Sequence, residues 1–210
     1  MKKIMFNDKY GLTQAVLEGR KTQTRRVLST TMFFQRLKTY EGWSNEDIRA
    51  WKRSCNRQLY ETQGYMLQQM LDYALSSSRY KVGEVVAVAQ KYKDIALDMP
   101  VELVAELIKQ PGWKNKMFVK ADLIPHRIRF TNIRIERLQD ISDEDCIAEG
   151  IYPKANGRWY CYDVVIRMGV SYDPYPDPRE AYAALIDKIS GKGTWESNPW
   201  VFVYDFELID

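Results

Sequence analysis

The stretch Gly19-Arg20-Lys21-Thr22-Gln23-Thr24-Arg25-Arg26 puts four cations and two hydroxyls into eight residues, with no acid among them. Positive charge at that density, where a helix hands over to a strand, suits an anion or a nucleotide. It equally suits a solvated strand edge, where cations discourage edge-to-edge pairing. Glu149 is a second position of interest. It ends a short helical pattern just before Gly150, and a carboxylate at a helix C-terminus opposes the macrodipole. A lone surface acid there costs only about a few tenths of a kcal/mol, so a functional and a purely structural origin both stay open. His126 is the sole histidine, which rules out a Ser/His/Asp set. The three cysteines, Cys55, Cys146 and Cys161, lie far apart without zinc-type spacing. Neither a metal nor a cofactor is expected.

The elements that must position these residues can be read along the chain. Residues 3–6 form an apolar run that predicts a first strand. Leu12, Ala15 and Val16 recur at helical spacing and Gly19 is a stop signal, so a helix over 11–18 precedes the basic stretch. In the strand that follows, Thr22, Thr24 and Arg26 share one face and Gln23 and Arg25 the other. Composition changes over about 30–79. Ser44-Asn45-Glu46-Asp47 is a helix start, and Ile48, Trp51, Cys55, Leu59, then Met66, Met70, Tyr73 and Ala74, form helical stripes interrupted near Gly64. This block reads as a helical insertion and offers a surface for self-association.

Val85 to Ala89 reads as a strand buried on both faces. Residues 93–116 are less regular, and Met117-Phe118-Val119 is a short strand candidate. The alternation over 127–138 changes phase near Thr131-Asn132, the mark of a β-bulge, and places Arg127, Arg129, Arg134 and Glu136 on one face. Ser142 caps the helix that ends at Glu149. Residues 152–178 read as a loop excursion with one possible strand at 159–166. Asp177-Pro178 opens an amphipathic helix over 178–189, with Ala181, Tyr182, Leu185, Ile186 and Ile189 as its stripe, and 201–208 is the last strand. Short strands without a βαβ rhythm imply an α+β protein: a small mixed or antiparallel barrel with helices around it.

The chain has 210 residues, 45% hydrophobic and 28% charged, with a net charge of +3 and a pI near 8.6. This mild basicity permits nucleic-acid binding without arguing for it. No run of about 18 apolar residues is present, so no membrane span is expected. The apolar start Met1–Phe6 is cut off by Asn7, Asp8 and Lys9 before it can serve as a signal peptide. Sparse cysteines fit a reducing compartment, and a cytoplasmic location is expected.

Four segments resemble one family in order. The helix ending in Gly19–Arg26 resembles the opening motif of ASCH domains, which belong to the PUA-like fold. Tyr80-Lys81-Val82-Gly83-Glu84-Val85-Val86-Ala87-Val88 is similar to the family's second motif, and Ile141 to Gly150 to its third. Ser197-Asn198-Pro199-Trp200-Val201-Phe202-Val203 resembles the closing strand of phage and prophage members. The resemblance implies a single PUA-like mixed β-barrel domain over 1–210, surrounded by helices and enlarged by the insertion at 30–79 and the excursion at 152–178. It also implies an RNA or nucleoside partner. Small bacterial members hydrolyse N4-acetylcytidine with a lysine, a threonine and a glutamate, and Lys21, Thr24 and Glu149 fall on those positions. The strand Val85 to Gln90 departs from phage relatives, which often carry an aromatic and an acid along it.

Amide hydrolysis requires a nucleophile, a proton acceptor and a holder for the oxyanion. Thr24 would supply the hydroxyl. Lys21 would act as base once desolvation and the neighbouring Arg20, Arg25 and Arg26 lower its pKa. Glu149 would protonate the leaving amine or fix Lys21. Lys21 must then sit in the turn before the strand, because three residues along a strand would put it opposite Thr24. The first reading of the same cleft is binding alone, with hydrolysis as its alternative: Lys21, Arg25 and Arg26 on phosphates, Thr22 or Thr24 on a base with a nearby Tyr or Trp stacked on it, and Arg20 among the binding residues. A third is a phage-type scaffold whose insertion binds a protein partner.

Overall fold

The computed structural model describes residues 1–28, 44–47, 49, 71–154, 157–161 and 175–209. Most of the helical stripes of the insertion, the self-association surface expected there and residues 155–156 and 162–174 of the 152–178 excursion lie outside the described residues. The Ser44 start lies within them: its hydroxyl accepts the Asp47 N–H at 3.1 Å, and residues 45–47 and 71–76 are helical.

The architecture is α+β, built on a mixed five-stranded sheet. Its strands are β1 (Lys3–Ile4), β2 (Gln23–Val27), β3 (Val85–Val88), β4 (Arg127–Arg137) and a long C-terminal strand, Trp200–Ile209, in the order β1, β3, β4, C-terminal strand, β2. Only β1 and β3 run parallel. The centre is β4 against the C-terminal strand, whose register slips between Phe130 and Asn132. That bulge is the phase change legible at Thr131-Asn132, and it re-aims the second half of β4.

The main core draws on both faces of the sheet: Val86, Ile128, Phe130 and Phe206 from one and Val201 and Val203 from the other share a buried cluster with Val16 from the helix α1 (Leu12–Leu17) and Tyr182 and Leu185 from the helix Pro178–Ser190. Asp177 opens the latter helix by accepting the Glu180 N–H. Ala87 and Ala89 face a second cluster with Tyr92, Ile95, Leu107 and Ile124, so β3 is covered on both sides. Tyr92–Ile95 and Val101–Leu107 are short helices within the stretch that reads as irregular. Residues 117–119 are not a strand. The Asn115 side chain accepts the Met117 N–H and turns the chain into a 3-10 helix over Lys116–Phe118, leaving both apolar side chains at the surface.

The sheet does not close into the expected barrel. β1 and β2 are its two edges, and among the described residues no strand pairing joins them. β1 is too short to reach β2, because Asn7 caps a 3-10 turn over Asp8–Tyr10 immediately after it. Arg26 reaches across the gap to the Met5 carbonyl at 2.7 Å, and a cavity opens there.

Candidate functional site

The turn between α1 and β2 is tied down on both sides. The Lys21 N–H donates to the Ala15 carbonyl at 2.9 Å and the Thr22 N–H to the Ala148 carbonyl at 2.8 Å. Lys21 therefore sits ahead of β2, as the chemistry requires. Its stem lies over Gly150, where an added Cβ would come within 3.6–3.8 Å of Lys21 and Ala15 and where φ is +101°. Only glycine adopts that conformation readily. Gly150 also ends the helix Asp143–Ala148 and leaves Glu149 as its cap.

Lys21 and Glu149 form a buried pair, 2% and 4% exposed. The Lys21 ammonium donates to Glu149 Oε2 at 2.5 Å, to the Glu149 carbonyl at 2.8 Å and to the Gln23 carbonyl at 2.7 Å. It thus offsets both the misplaced carboxylate and the negative end of the helix. Burial pushes the Lys21 pKa below its ordinary value, and the nearby guanidiniums of Arg26 and Arg25 push the same way against the opposing pull of Glu149.

Much of the charge of the basic stretch is neutralised inside the fold, although the cavity it borders is lined by Lys21, Arg25 and Arg26 against Glu149 alone. Arg25, with a fully covered side chain, reaches Glu136 Oε1 at 2.6 Å, Asp145 Oδ2 at 2.7 Å and Glu149 Oε1 at 3.5 Å. Arg134 bonds Glu136 at 3.0 Å and Asp145 and Asp205 at 2.7 Å each. Gln23 links Asp145 and Asp205, and its carbonyl oxygen accepts from Arg25. The three cations Lys21, Arg25 and Arg134 face the four carboxylates Glu136, Asp145, Glu149 and Asp205, so the cluster is slightly acidic. Arg25 is consumed inside it and does not reach out to phosphates. Arg20 pairs with Glu18, and Arg20 and Thr22 stand outside the cavity lining; Arg26, at the mouth, is exposed.

The cavity has a volume of about 520 Å³, in the range of small-molecule sites. Lys21, Thr24, Arg25, Glu149 and Tyr182 line one part; Phe6, Val27, Leu185, Ile186 and Ile189 supply apolar wall. Thr24 is 5% exposed, and no described residue hydrogen-bonds its hydroxyl. Sequence reasoning missed Gln23, Asp145, Asp205 and Tyr182. The Arg134/Glu136 face was visible in the alternation, whereas Tyr182 was legible only as part of an apolar stripe.

Thiol chemistry finds no support here, since burial pushes Cys146 up to about 12 and Cys161 up to about 11. Among the described residues no group of three or more His, Cys, Asp or Glu side chains is placed to hold a metal ion, and no helix is long and apolar enough to cross a membrane.

The network gives the fold an acid limit. Burial raises the Asp145 pKa, but hydrogen bonds from Gln23 and Arg25 and the charges of Arg25 and Arg134 outweigh it and hold the carboxyl below its ordinary 3.8. A folded-state pKa below the unfolded one stabilises the fold fully above the unfolded value. That stability is lost as pH falls through the folded value. The Tm of the wild type is expected to fall as the pH drops below about 4, and that of Asp145→Asn less steeply. Parallel slopes in thermal melts across that range would rule Asp145 out as a source of the acid sensitivity.

No family model, no curated protein and no solved structure matches this chain, so the candidate site stands on its own geometry.

Proposed function

We propose that the cavity takes an uncharged, nucleoside-sized molecule and that Lys21, Thr24 and Glu149 hydrolyse an acyl amide on its base, with N4-acetylcytidine as the type substrate. One observation carries this. The hydroxyl of a largely buried threonine, without a hydrogen bond among the described residues, shares a small cavity with a desolvated lysine–glutamate pair. The resemblance to ASCH domains of the PUA-like fold supports the same assignment. Lys21 and Arg25 are spent on carboxylates, which leaves Arg26 as the lining cation to meet an anion and favours a nucleoside over a polyphosphate chain, whose affinity depends on several free cations.

The proton path follows from the pair. Lys21 passes a proton to Glu149 across their hydrogen bond, and burial favours that neutral form. Thr24 Oγ1 attacks the acyl carbon and gives its proton to Lys21. The C–N bond breaks, and the leaving amine takes the proton held by Glu149. The same relay activates water to cleave the threonine ester, releasing the carboxylic acid and restoring Thr24.

A second reading, recognition without cleavage, is favoured by the three oxygens that engage Lys21 Nζ, the pattern of a permanent ammonium. Turnover of N4-acetylcytidine by the purified protein decides between them. Conversion to cytidine, abolished by Lys21→Ala and by Thr24→Ala, is expected. Binding of the nucleoside with no conversion above those variants would leave recognition alone, and salt-sensitive binding of RNA oligomers in preference to nucleosides would overturn the small-ligand assignment.

A further inference from the structure

Tyr182 is 1% exposed, and its hydroxyl has no hydrogen-bond partner among the described residues. A buried polar group left in that state lowers stability unless something else satisfies it. The ring is held without help from the hydroxyl: it packs edge-on against Trp195 at 6.2 Å, and the Arg25 guanidinium lies 6.0 Å from its centroid. The residue lines the same cavity as Lys21, Thr24 and Glu149, and the charges of Glu149 and Arg25 both reach its hydroxyl. Burial keeps the phenol protonated far into the alkaline range, so it is a neutral donor. The reaction sketched above needs a donor for the acyl oxygen; Arg25 and Lys21 already spend their hydrogens on the carboxylate network, which leaves the exposed Arg26 and, beside the Lys21/Glu149 pair, Tyr182.

We infer that the Tyr182 hydroxyl donates a hydrogen bond to the acyl carbonyl oxygen of the bound ligand and holds the oxyanion when that carbon is attacked. The inference rests on the cavity being the ligand site proposed above, and it does not require that Thr24 complete the cleavage. A hydroxyl that donates to a carbonyl in this way selects acylated over unacylated nucleosides; because it is covered, the acyl oxygen reaches it only as the ligand seats, at the Lys21/Glu149 end of the cavity.

The test is Tyr182→Phe, which keeps the ring and removes only the oxygen. Without ligand its Tm is expected to equal or exceed that of the wild type; a clear drop would mean that the hydroxyl serves the fold, and would overturn the inference. In the wild-type background kcat for N4-acetylcytidine should fall on the order of 100-fold or more. Affinity is measured in the Thr24→Ala background by titration with N4-acetylcytidine and with cytidine. There, Tyr182→Phe should weaken the acetylated nucleoside about ten-fold and leave cytidine unchanged. Unchanged affinity for both overturns the role of Tyr182 and leaves the cavity reading standing. Acetyl-selective binding that Tyr182→Phe abolishes, with no turnover by the wild type, overturns hydrolysis and supports Tyr182. Binding of neither nucleoside overturns both.

Discussion

Replacing Arg25 by methionine is expected to lower the Tm by roughly 6–20 °C. The reason is the charge left behind. Arg25 contacts Glu136, Asp145 and Glu149 from a position with no solvent access, and methionine fills the stem while leaving those carboxylates without their common partner. Removing one member of a buried ionic cluster costs about 3–5 kcal/mol, and a protein of this size loses about 2–4 °C of Tm per kcal/mol. Arg134 still holds Glu136 and Asp145, and Lys21 still holds Glu149, so the loss should lie toward the lower end of that range. Arg25→Lys restores one charge without the planar fork and should lie between the two. A Tm for Arg25→Met within about 2 °C of wild type would show that the network adds little to the fold.

Much of the fold was legible because local rules and tertiary packing agree over most of it. The stop at Gly19, the Ser142 and Asp177 caps and the amphipathic stripe of the helix 178–190 are short-range signals, and each appears where the spacing put it. The bulge at Thr131-Asn132 was visible because the pleat has period two, so one extra residue shifts every later side chain to the other face. Two elements escaped for the opposite reason. Residues 117–119 have strand-forming side chains, but one capping bond from Asn115 decides their backbone. Barrel closure depends on whether the ends of β1 and β2 meet, and the Asn7 turn that parts them is a three-residue event.

For the site, the residue types were legible and their electrostatic state was not. Gln23 and Arg25 do share the face opposite Thr24, as the strand period requires, yet that face meets carboxylates from β4, the helix 143–148 and the C-terminal strand. Lys21 and Arg25 look like free cations only while their partners, more than 100 positions away, are out of view. Glu149 is the converse case. Its poor position against the helix dipole marked it in the sequence, and the Lys21 ammonium that compensates it accounts for its placement.

Removing Lys21 alone and removing it together with Glu149 should separate stability from chemistry. Lys21→Met leaves the Glu149 carboxylate buried with Arg25 at 3.5 Å as its remaining cation. Unfolding in urea is expected to show a loss of about 3–5 kcal/mol, and turnover of N4-acetylcytidine should drop by at least about 100-fold, the usual size of a lost general base. In Lys21→Met/Glu149→Leu both buried charges are gone. Apolar replacements of a buried pair are commonly neutral or stabilising, so most of the lost stability should return. Activity should not return, because the relay from Thr24 through Lys21 to Glu149 no longer exists. The gap between the double variant and the sum of the two single variants measures the coupling directly. Recovery of turnover with recovery of stability would mean that Lys21 and Glu149 only shape the cavity, and the hydroxyls of Thr24 and Tyr182 would then have to bind their ligand without a base beside them.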